Sequence, residues 1–370
     1  MVRNWADLPQ ELLELCSRHL CPKDLWAFRA VCQSWRSAPL KERSNVPWMM
    51  LEDHHETQWR EFFCLSCQWV HRVLMPEAKG KTCFSSRGWV FTLGRDWELY
   101  MLKNPMSRHN YIIKLPKLKF PDVEVLPRYD NFSAKFVLSA SPTTSLDYMV
   151  MVIYGWGGRL GLWKPGDEEW TAVNFPSPTH NICDLIFYKG CFVAVDCQGS
   201  ILRCDVNGPT PFETQVIFRM PRRLMHWEHP DLVQPTTGHR LLMTGAYLVQ
   251  SPTGSLLFVS RWEEREPAQT FQFQVFEIDL NTQTYTEVKS LENTSLFLGS
   301  NSSFYLEANE KHHIKPNCIY FADDSWPRLS EEGGGRDMGI YHIEDCTTEL
   351  YFMAMAYDHY SLPLWIEPSF

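Results

Sequence analysis

The hydrophobic pattern of the chain changes period once, between Pro39 and Pro47. Upstream of that point, apolar residues recur at the three- and four-residue spacing of a helix. Leu12, Leu13, Leu15, Cys16 and Leu20 mark a first helix, with Pro9 where a first-turn proline is tolerated and Asp7 just before it. Pro22 interrupts the pattern. A second helical run then carries Leu25, Phe28, Val31, Cys32 and Trp35, with Lys23 and Asp24 at its start and Pro39 as its stop.

From Trp48 onward, short β-prone runs alternate with turn residues. They predict strands over residues 88–93, 97–101, 111–115, 135–139, 148–154, 159–163, 169–173, 185–188, 191–196, 200–205 and 215–218. The series continues over 247–250, 255–261, 271–279, 284–288, 296–299, 303–307, 318–321, 338–342 and 349–352. Several runs group into units of strand, turn, strand, turn and aromatic-ending strand. Residues 148–170 form one, with turns at Gly155-Trp156-Gly157-Gly158 and Pro165-Gly166-Asp167; residues 185–205 and 247–285 form others. At the ~40–50 residues of a four-stranded blade, about six units fit between Trp48 and Phe370.

The fold expected is therefore α+β and multi-domain: a small all-α module over residues 1–45, then a mainly-β domain over 46–370, a β-propeller of about six blades. A two-sheet sandwich or a pair of smaller β domains would bury the same strands. Residues 261–269, and Gly333-Gly334-Gly335 after Glu331-Glu332, read as exposed loops.

Composition narrows the partners. With 370 residues, 44% apolar and 14% aromatic, the chain can bury a large core. Its net charge is −9, and the densest basic cluster, Arg219 with Arg222 and Arg223, is too short to track phosphates, so no nucleic acid is expected. Met1-Val2-Arg3-Asn4-Trp5 leads straight into a helical pattern without the apolar core of a signal peptide, and no stretch is long enough to span a bilayer. Cysteines such as Cys183, Cys191, Cys197 and Cys204 lie among apolar runs as small hydrophobes do, which fits a reducing cytoplasmic or nuclear location.

The first helix poses a burial problem. Its apolar residues cover an arc of roughly 160°, wider than the ~100° that one packing contact uses. A unit of ~40 residues cannot hide that surface alone. Leu8-Pro9, Leu12-Leu13, Leu20, Asp24-Leu25, Phe28-Arg29, Val31-Cys32 and Ser34-Trp35-Arg36 resemble the F-box in order, spacing and residue type. The resemblance implies a three-helix module that docks on a Skp-type adaptor, and through it a cullin. The positions that match are Leu8, Pro9, Leu12, Leu15, Leu20, Leu25, Phe28, Val31, Cys32 and Trp35, some internal to the module and some at the interface. Leu8 and Pro9 are the first choice for direct contact. Gln33 departs from the basic residue that many F-boxes carry, which weakens a rim charge at most.

The remainder resembles a plant family of F-box proteins whose C-terminal domain has no assigned function and distantly echoes kelch-type propellers. The matching elements include Cys83-Phe84-Ser85-Ser86-Arg87-Gly88-Trp89, Asn104-Pro105, Leu162-Trp163-Lys164-Pro165-Gly166-Asp167, Asn317-Cys318-Ile319-Tyr320-Phe321 and Trp365-Ile366-Glu367-Pro368-Ser369. The family implies a substrate receptor of a ubiquitin ligase with an unidentified target protein. An adaptor-bound inhibitor or a small-molecule sensor would carry the same features.

Other constellations are weaker. Cys64-Leu65-Ser66-Cys67 has the gap of a zinc knuckle, with His54, His55 and His71 nearby, but no second cysteine pair follows, so buried strand cysteines are expected and no metal or cofactor is assigned. Gly155-Trp156-Gly157-Gly158 lacks the lysine-serine/threonine pair of a phosphate loop and reads as a β-turn. Asp323-Asp324 and Glu331-Glu332 read as solvated loop charge, and no nucleophile elbow is present. No catalytic residue is assigned.

Overall fold

The computed structural model describes residues 5–18, 20, 22–37, 46–51, 57–103, 111–118, 135–155, 157–175, 181–206, 208, 212–225, 241–265, 268–324, 337–349 and 362–368. Pro39, His54, His55, Asn104-Pro105, Trp156, the loop at 331–335, the strand tail at 350–352 and Ser369 lie outside them.

A 3-10 turn at Trp5–Asp7 leads into α1 (Gln10–Arg18), α2 (Pro22–Ala30) and α3 (Gln33–Arg36). The second helical run is thus two helices rather than one. Cys32, extended at φ −160° and ψ 178°, caps α3, so the apolar period runs on through a break in the backbone. Leu13 and Phe28 are buried at the centre of the module, with Leu8, Leu20, Leu25 and Trp35 packed around them.

Strands β1 (Trp48–Met50), β2 (Trp59–Cys64) and β3 (Trp69–Leu74) begin the β region, followed by β4 (Thr82–Ser86), β5 (Trp89–Leu93), β6 (Leu99–Lys103) and β7 (Ile112–Leu115). Next come β8 (Lys135–Leu138), β9 (Val150–Tyr154), β10 (Arg159–Trp163) and β11 (Thr171–Asn174), then β12 (Ile182–Tyr188), β13 (Cys191–Asp196), β14 (Ser200–Asp205) and β15 (Phe212–Arg219). The last groups are β16 (Leu241–Gln250), β17 (Leu256–Arg265), β18 (Ala268–Asp279) and β19 (Thr284–Glu287), and β20 (Thr294–Leu298), β21 (Phe304–Glu307), β22 (Cys318–Phe321), β23 (Gly339–His342) and β24 (Thr347–Glu349), closed by β25 (Leu364–Ile366).

Among the described residues these strands form five sheets, ordered β25-β1-β2-β3, β4 to β7, β12-β13-β14-β15-β11-β10-β9-β8, β16 to β19, and β21-β20-β22-β23-β24. The eight-stranded sheet is two antiparallel groups of four, joined only where β11 runs parallel to β15 at Val173↔Phe212 and Asn174↔Glu213. The mostly-β part is propeller-like: consecutive groups stack face to face, so strands covered on both sides, such as β5 and β9, are buried throughout and mainly apolar. Strand β11, at a group's outer edge, alternates instead.

The chain's end returns to its start. Strand β25 pairs antiparallel with β1, placing Trp365 opposite Met49. The Trp365 ring is fully buried and meets Phe297 edge-on at 5.2 Å and Tyr320 at 6.0 Å, which ties the last sheet to the first. Strands β1 to β4 and β25 were not among those predicted, whereas β10, β13, β14 and β22 match their predicted bounds to the residue.

The expected loop at 261–269 is corrected: β17 and β18 extend through most of it, and Arg261 is only 1% exposed. Asp323 is likewise buried rather than solvated, and Asp324 pairs with Arg261 at 3.0 Å. The reason is common to both, because opposite charges brought together from distant segments can be desolvated as a set where single charges cannot.

The turn at Gly155–Gly158 offers a clean test of backbone constraint. Both glycines have positive φ, +73° and +54°, but a Cβ at 155 would meet nothing within 4 Å, whereas one at 158 would lie 2.4 Å from the Ile182 carbonyl oxygen. Gly155→Ala should therefore cost about 1 kcal/mol of stability from φ alone. Gly158→Ala should cost clearly more in urea denaturation, since the obstacle is backbone; equal costs would show that Ile182 yields freely.

Candidate functional site

The helical module presents apolar side chains on two flanks of α1. Leu13 and Ser17 face inward, Leu13 at 1% exposure, while Leu12 and Leu15 remain 46% and 53% exposed. Cys16 and Pro9 are exposed beside them. The Pro9 carbonyl accepts the N–H groups of Leu12 and Leu13 at 3.1 and 3.2 Å, so it sets the first turn without losing a donor that the helix needs. Val31, 57% exposed, occupies the break between α2 and α3.

These positions separate the ten residues suggested by sequence. Phe28 belongs to the core, and Leu8, Leu20, Leu25 and Trp35 pack against it. Pro9, Leu12, Leu15 and Val31 form the exposed set, and Cys32 is intermediate. Trp5, 73% exposed and absent from that list, is a further apolar side chain at the surface. Its only sequence signal is an aromatic residue immediately upstream of the Leu-Pro pair.

The module is locked by α3 gripping the first turn. Ser34 Oγ donates to the Ala6 carbonyl at 2.8 Å, and Trp35 Nε1 donates to the Trp5 carbonyl at 3.0 Å. The Phe28 and Trp35 rings lie 4.6 Å apart, and Gln10 Nε2 reaches the Ser37 carbonyl at 3.2 Å. The Ser34 hydroxyl, helped by the Trp35 backbone, holds the Cys32 thiol below the usual cysteine pKa. All members of the apolar cluster come from residues 8–35, and no described strand residue joins it. The outer flank of α1 is thus left for something other than the module's own core to cover.

A second recess lies in the β region. It has a volume of about 570 Å³ and is lined by Arg87, Leu138, Ile186, Gln250, Phe304 and Glu367 among others. Arg87 Nε donates to the Leu138 carbonyl at 2.9 Å, and desolvation pushes the Glu367 carboxyl up against the opposing pull of Arg87.

In the first sheet, Cys64 ends β2 and is buried, but Cys67 lies in the following turn rather than on a strand, and His71 sits on β3. Their donor atoms all lie within 4.8 Å of one another. No disulfide joins the cysteines among the described residues. No described helix is long and apolar enough to cross a membrane.

A three-helix module with an exposed apolar flank, followed by a ring of stacked sheets, defines an F-box protein with a propeller-like domain. Residues 5–46 match the F-box domain, and residues 62–342 match the KIB1-4 beta-propeller. The chain belongs to the KIB1-4 beta-propeller family and is a plant F-box protein. It is 27% identical over 356 residues to the Arabidopsis thaliana F-box protein At5g55150, covering 89% of this chain and 88% of that one. It is 24% identical over 388 residues to the Arabidopsis thaliana F-box protein SKIP23, with 94% and 91% covered. The kelch likeness is loose by comparison. Among solved structures, YCF48 from Cyanidioschyzon merolae aligns over 62% of this chain and 63% of its own with 14% identity and a TM-score of 0.32, a likeness too slight to bear on the fold. F-box proteins generally act as substrate receptors of Skp-cullin-F-box ligases, and an F-box implies binding of a Skp-type adaptor.

Proposed function

We propose that the chain is the substrate receptor of a Skp-cullin-F-box ubiquitin ligase, acting in the cytoplasm or nucleus. Residues 1–45 dock the adaptor, and residues 46–370 form a propeller that holds a target protein. The observation that carries this reading is the exposed flank of α1, where Leu12 and Leu15 stand about half in water while Leu13 and Phe28 complete the module's core behind them. Pro9 and Val31 extend the apolar surface offered to the adaptor.

A count of six blades is supported by the cores. Six apolar clusters each draw on two neighbouring strand groups, and the sixth, with Phe297 and Tyr320 beside Met49 and Trp365, links the last group to the first. The eight-stranded sheet then counts as two blades touching at their outer edges. The recess draws on six groups as well, through Arg87, Leu138, Ile186, Gln250, Phe304 and Glu367.

Such a receptor supplies no acid, base or nucleophile. It holds a target lysine close to the conjugating enzyme and so raises its effective concentration. The test is co-precipitation from plant cells with and without proteasome inhibition. Adaptor and cullin should come down with the chain, and bound proteins should accumulate in ubiquitinated form when the proteasome is blocked. Loss of the adaptor from the precipitate would end the reading; adaptor without accumulating targets would leave a binding protein that does not promote degradation.

A further inference from the structure

We propose that the hairpin of β2 and β3 is a zinc site with Cys64, Cys67 and His71 as ligands. The register pairs Cys64 with Trp69 and Phe62 with His71, so by the two-residue alternation of strands Cys64 and His71 project from the same face of the hairpin. Cys67 reaches that face from the turn. Gln68, at φ +55°, reverses the chain directly after it, and its N–H donates to the Cys64 carbonyl at 2.8 Å. A left-handed residue following the second cysteine lets a two-residue gap present both sulfurs to one point.

The distances approach those of a zinc site. The three donor atoms lie within 4.8 Å of one another, and Cys67 Sγ is 3.0 Å from His71 Nε2. With Zn–S at ~2.3 Å and Zn–N at ~2.0–2.1 Å, tetrahedral ligands stand ~3.4–3.8 Å apart, so adjustments of about 1 Å suffice. Two thiolates and an imidazole make a soft donor set that selects zinc over magnesium or calcium. Two sulfur charges balance the ion, and the thiol protons leave to solvent on binding.

The surroundings fit a three-ligand centre with one outward position. Cys64 is fully buried, Cys67 and His71 are partly exposed, and the Trp48 ring lies 5.1 Å from the imidazole and restricts its rotation. The fourth position faces the partly open side, where water completes the tetrahedron. The ion would clamp β3 to the end of β2 in the sheet whose other members, β1 and β25, are only three residues long and hold the two ends of the β domain together. Closure of the ring would thus draw on metal as well as on Trp365.

The test uses the full chain, purified without chelator and then equilibrated with zinc. Elemental analysis should give one zinc per chain, and exchange for cobalt should give the visible bands of a tetrahedral site with thiolate-to-metal charge transfer. Cys67→Ser and His71→Ala should each lose the metal while keeping the wild-type circular dichroism. Chelation should lower the melting temperature of the wild type by several degrees and leave Cys67→Ser unmoved. Cys64 is fully buried, so a loss of metal in Cys64→Ser would not be separable from a loss of packing, and that variant is not used. Zinc well below one per chain after equilibration, or equal zinc in the wild type and both variants, would overturn the site and leave a thiol–imidazole hydrogen bond that merely fastens the hairpin.

Discussion

Leu12→Asp with Leu15→Asp should abolish capture of the Skp-type adaptor while leaving both domains folded. Each leucine is about half exposed in the free chain, so the half still in water contributes about 1 kcal/mol when a partner covers it, given ~1.5–3 kcal/mol for burying a whole side chain. A carboxylate at the same point adds the cost of an unpaired charge in an apolar interface, several kcal/mol for each. A combined loss above about 5 kcal/mol is more than a thousandfold in affinity. Leu13→Ala supplies the contrast, because Leu13 is 1% exposed and its truncation should cost the module ~2–5 kcal/mol of its own stability. Helical circular dichroism separates the two: preserved in the double variant, reduced in Leu13→Ala. Adaptor affinity within tenfold of wild type for the double variant would mean that this flank of α1 faces something else.

What could be read in advance followed from how locally each element is determined. The F-box was legible because its residues sit at fixed intervals along about thirty positions, and the excess apolar arc of α1 could be counted directly. Its division into core and surface was not, since Leu12 and Leu13 are neighbours of identical chemistry and only the packing of Phe28 decides which turns inward. Likewise, the break at Cys32 hides inside an uninterrupted apolar period, and only the backbone angles reveal it.

In the β region, β13 and β14 were bounded correctly because Lys189 and Gly190, then Gly199, all at positive φ, mark their turns. Strand β2 was missed for the opposite reason. It carries Arg60, which reads as surface yet is 1% exposed, its guanidinium donating to the carbonyls of Ala78 and Lys81 at 2.7 and 2.8 Å. Strand β25 has no local signal, since its partner is β1 at the other end of the domain. The Cys64, Cys67 and His71 cluster was half legible: the cysteine gap is in the sequence, but the identity of the histidine depends on hairpin register. Charges whose partners lie far along the chain are read as loops, and Arg261 is the largest such case.

Arg261→Met should destabilise the β domain by about 3–5 kcal/mol, the cost of leaving buried carboxylates without their cation. The guanidinium donates through Nη2 to Asp337 Oδ2 at 2.8 Å, through Nη1 to Asp324 Oδ1 at 3.0 Å, and through Nε to Thr270 Oγ1 at 2.8 Å. Thr270 in turn donates its N–H and hydroxyl to Asp337, and the Tyr247 hydroxyl donates to Asp324 at 2.7 Å. One side chain therefore binds β16, β17 and β18 to the segments flanking β22 and β23. Burial alone would raise the pKa of Asp337, but Arg261, with the Thr270 hydrogen bonds, brings it below the ordinary value. A carboxyl depressed in the folded state stabilises above its unfolded pKa of ~3.9, and that contribution fades as pH falls through the folded value. Without the arginine, burial is opposed by the Thr270 hydrogen bonds and no longer by the Arg261 charge, so Asp337 should titrate higher than in the wild type and the variant should lose less stability than the wild type as the pH falls from neutral into the acid range. The gap between wild type and variant, measured by urea denaturation across that range, should narrow with acid and close further when Asp337→Asn is added. A gap that stayed constant with pH would show that the lost stability comes from packing of the arginine stem on Phe321, whose ring centre lies 5.1 Å from the guanidinium, and not from the charge.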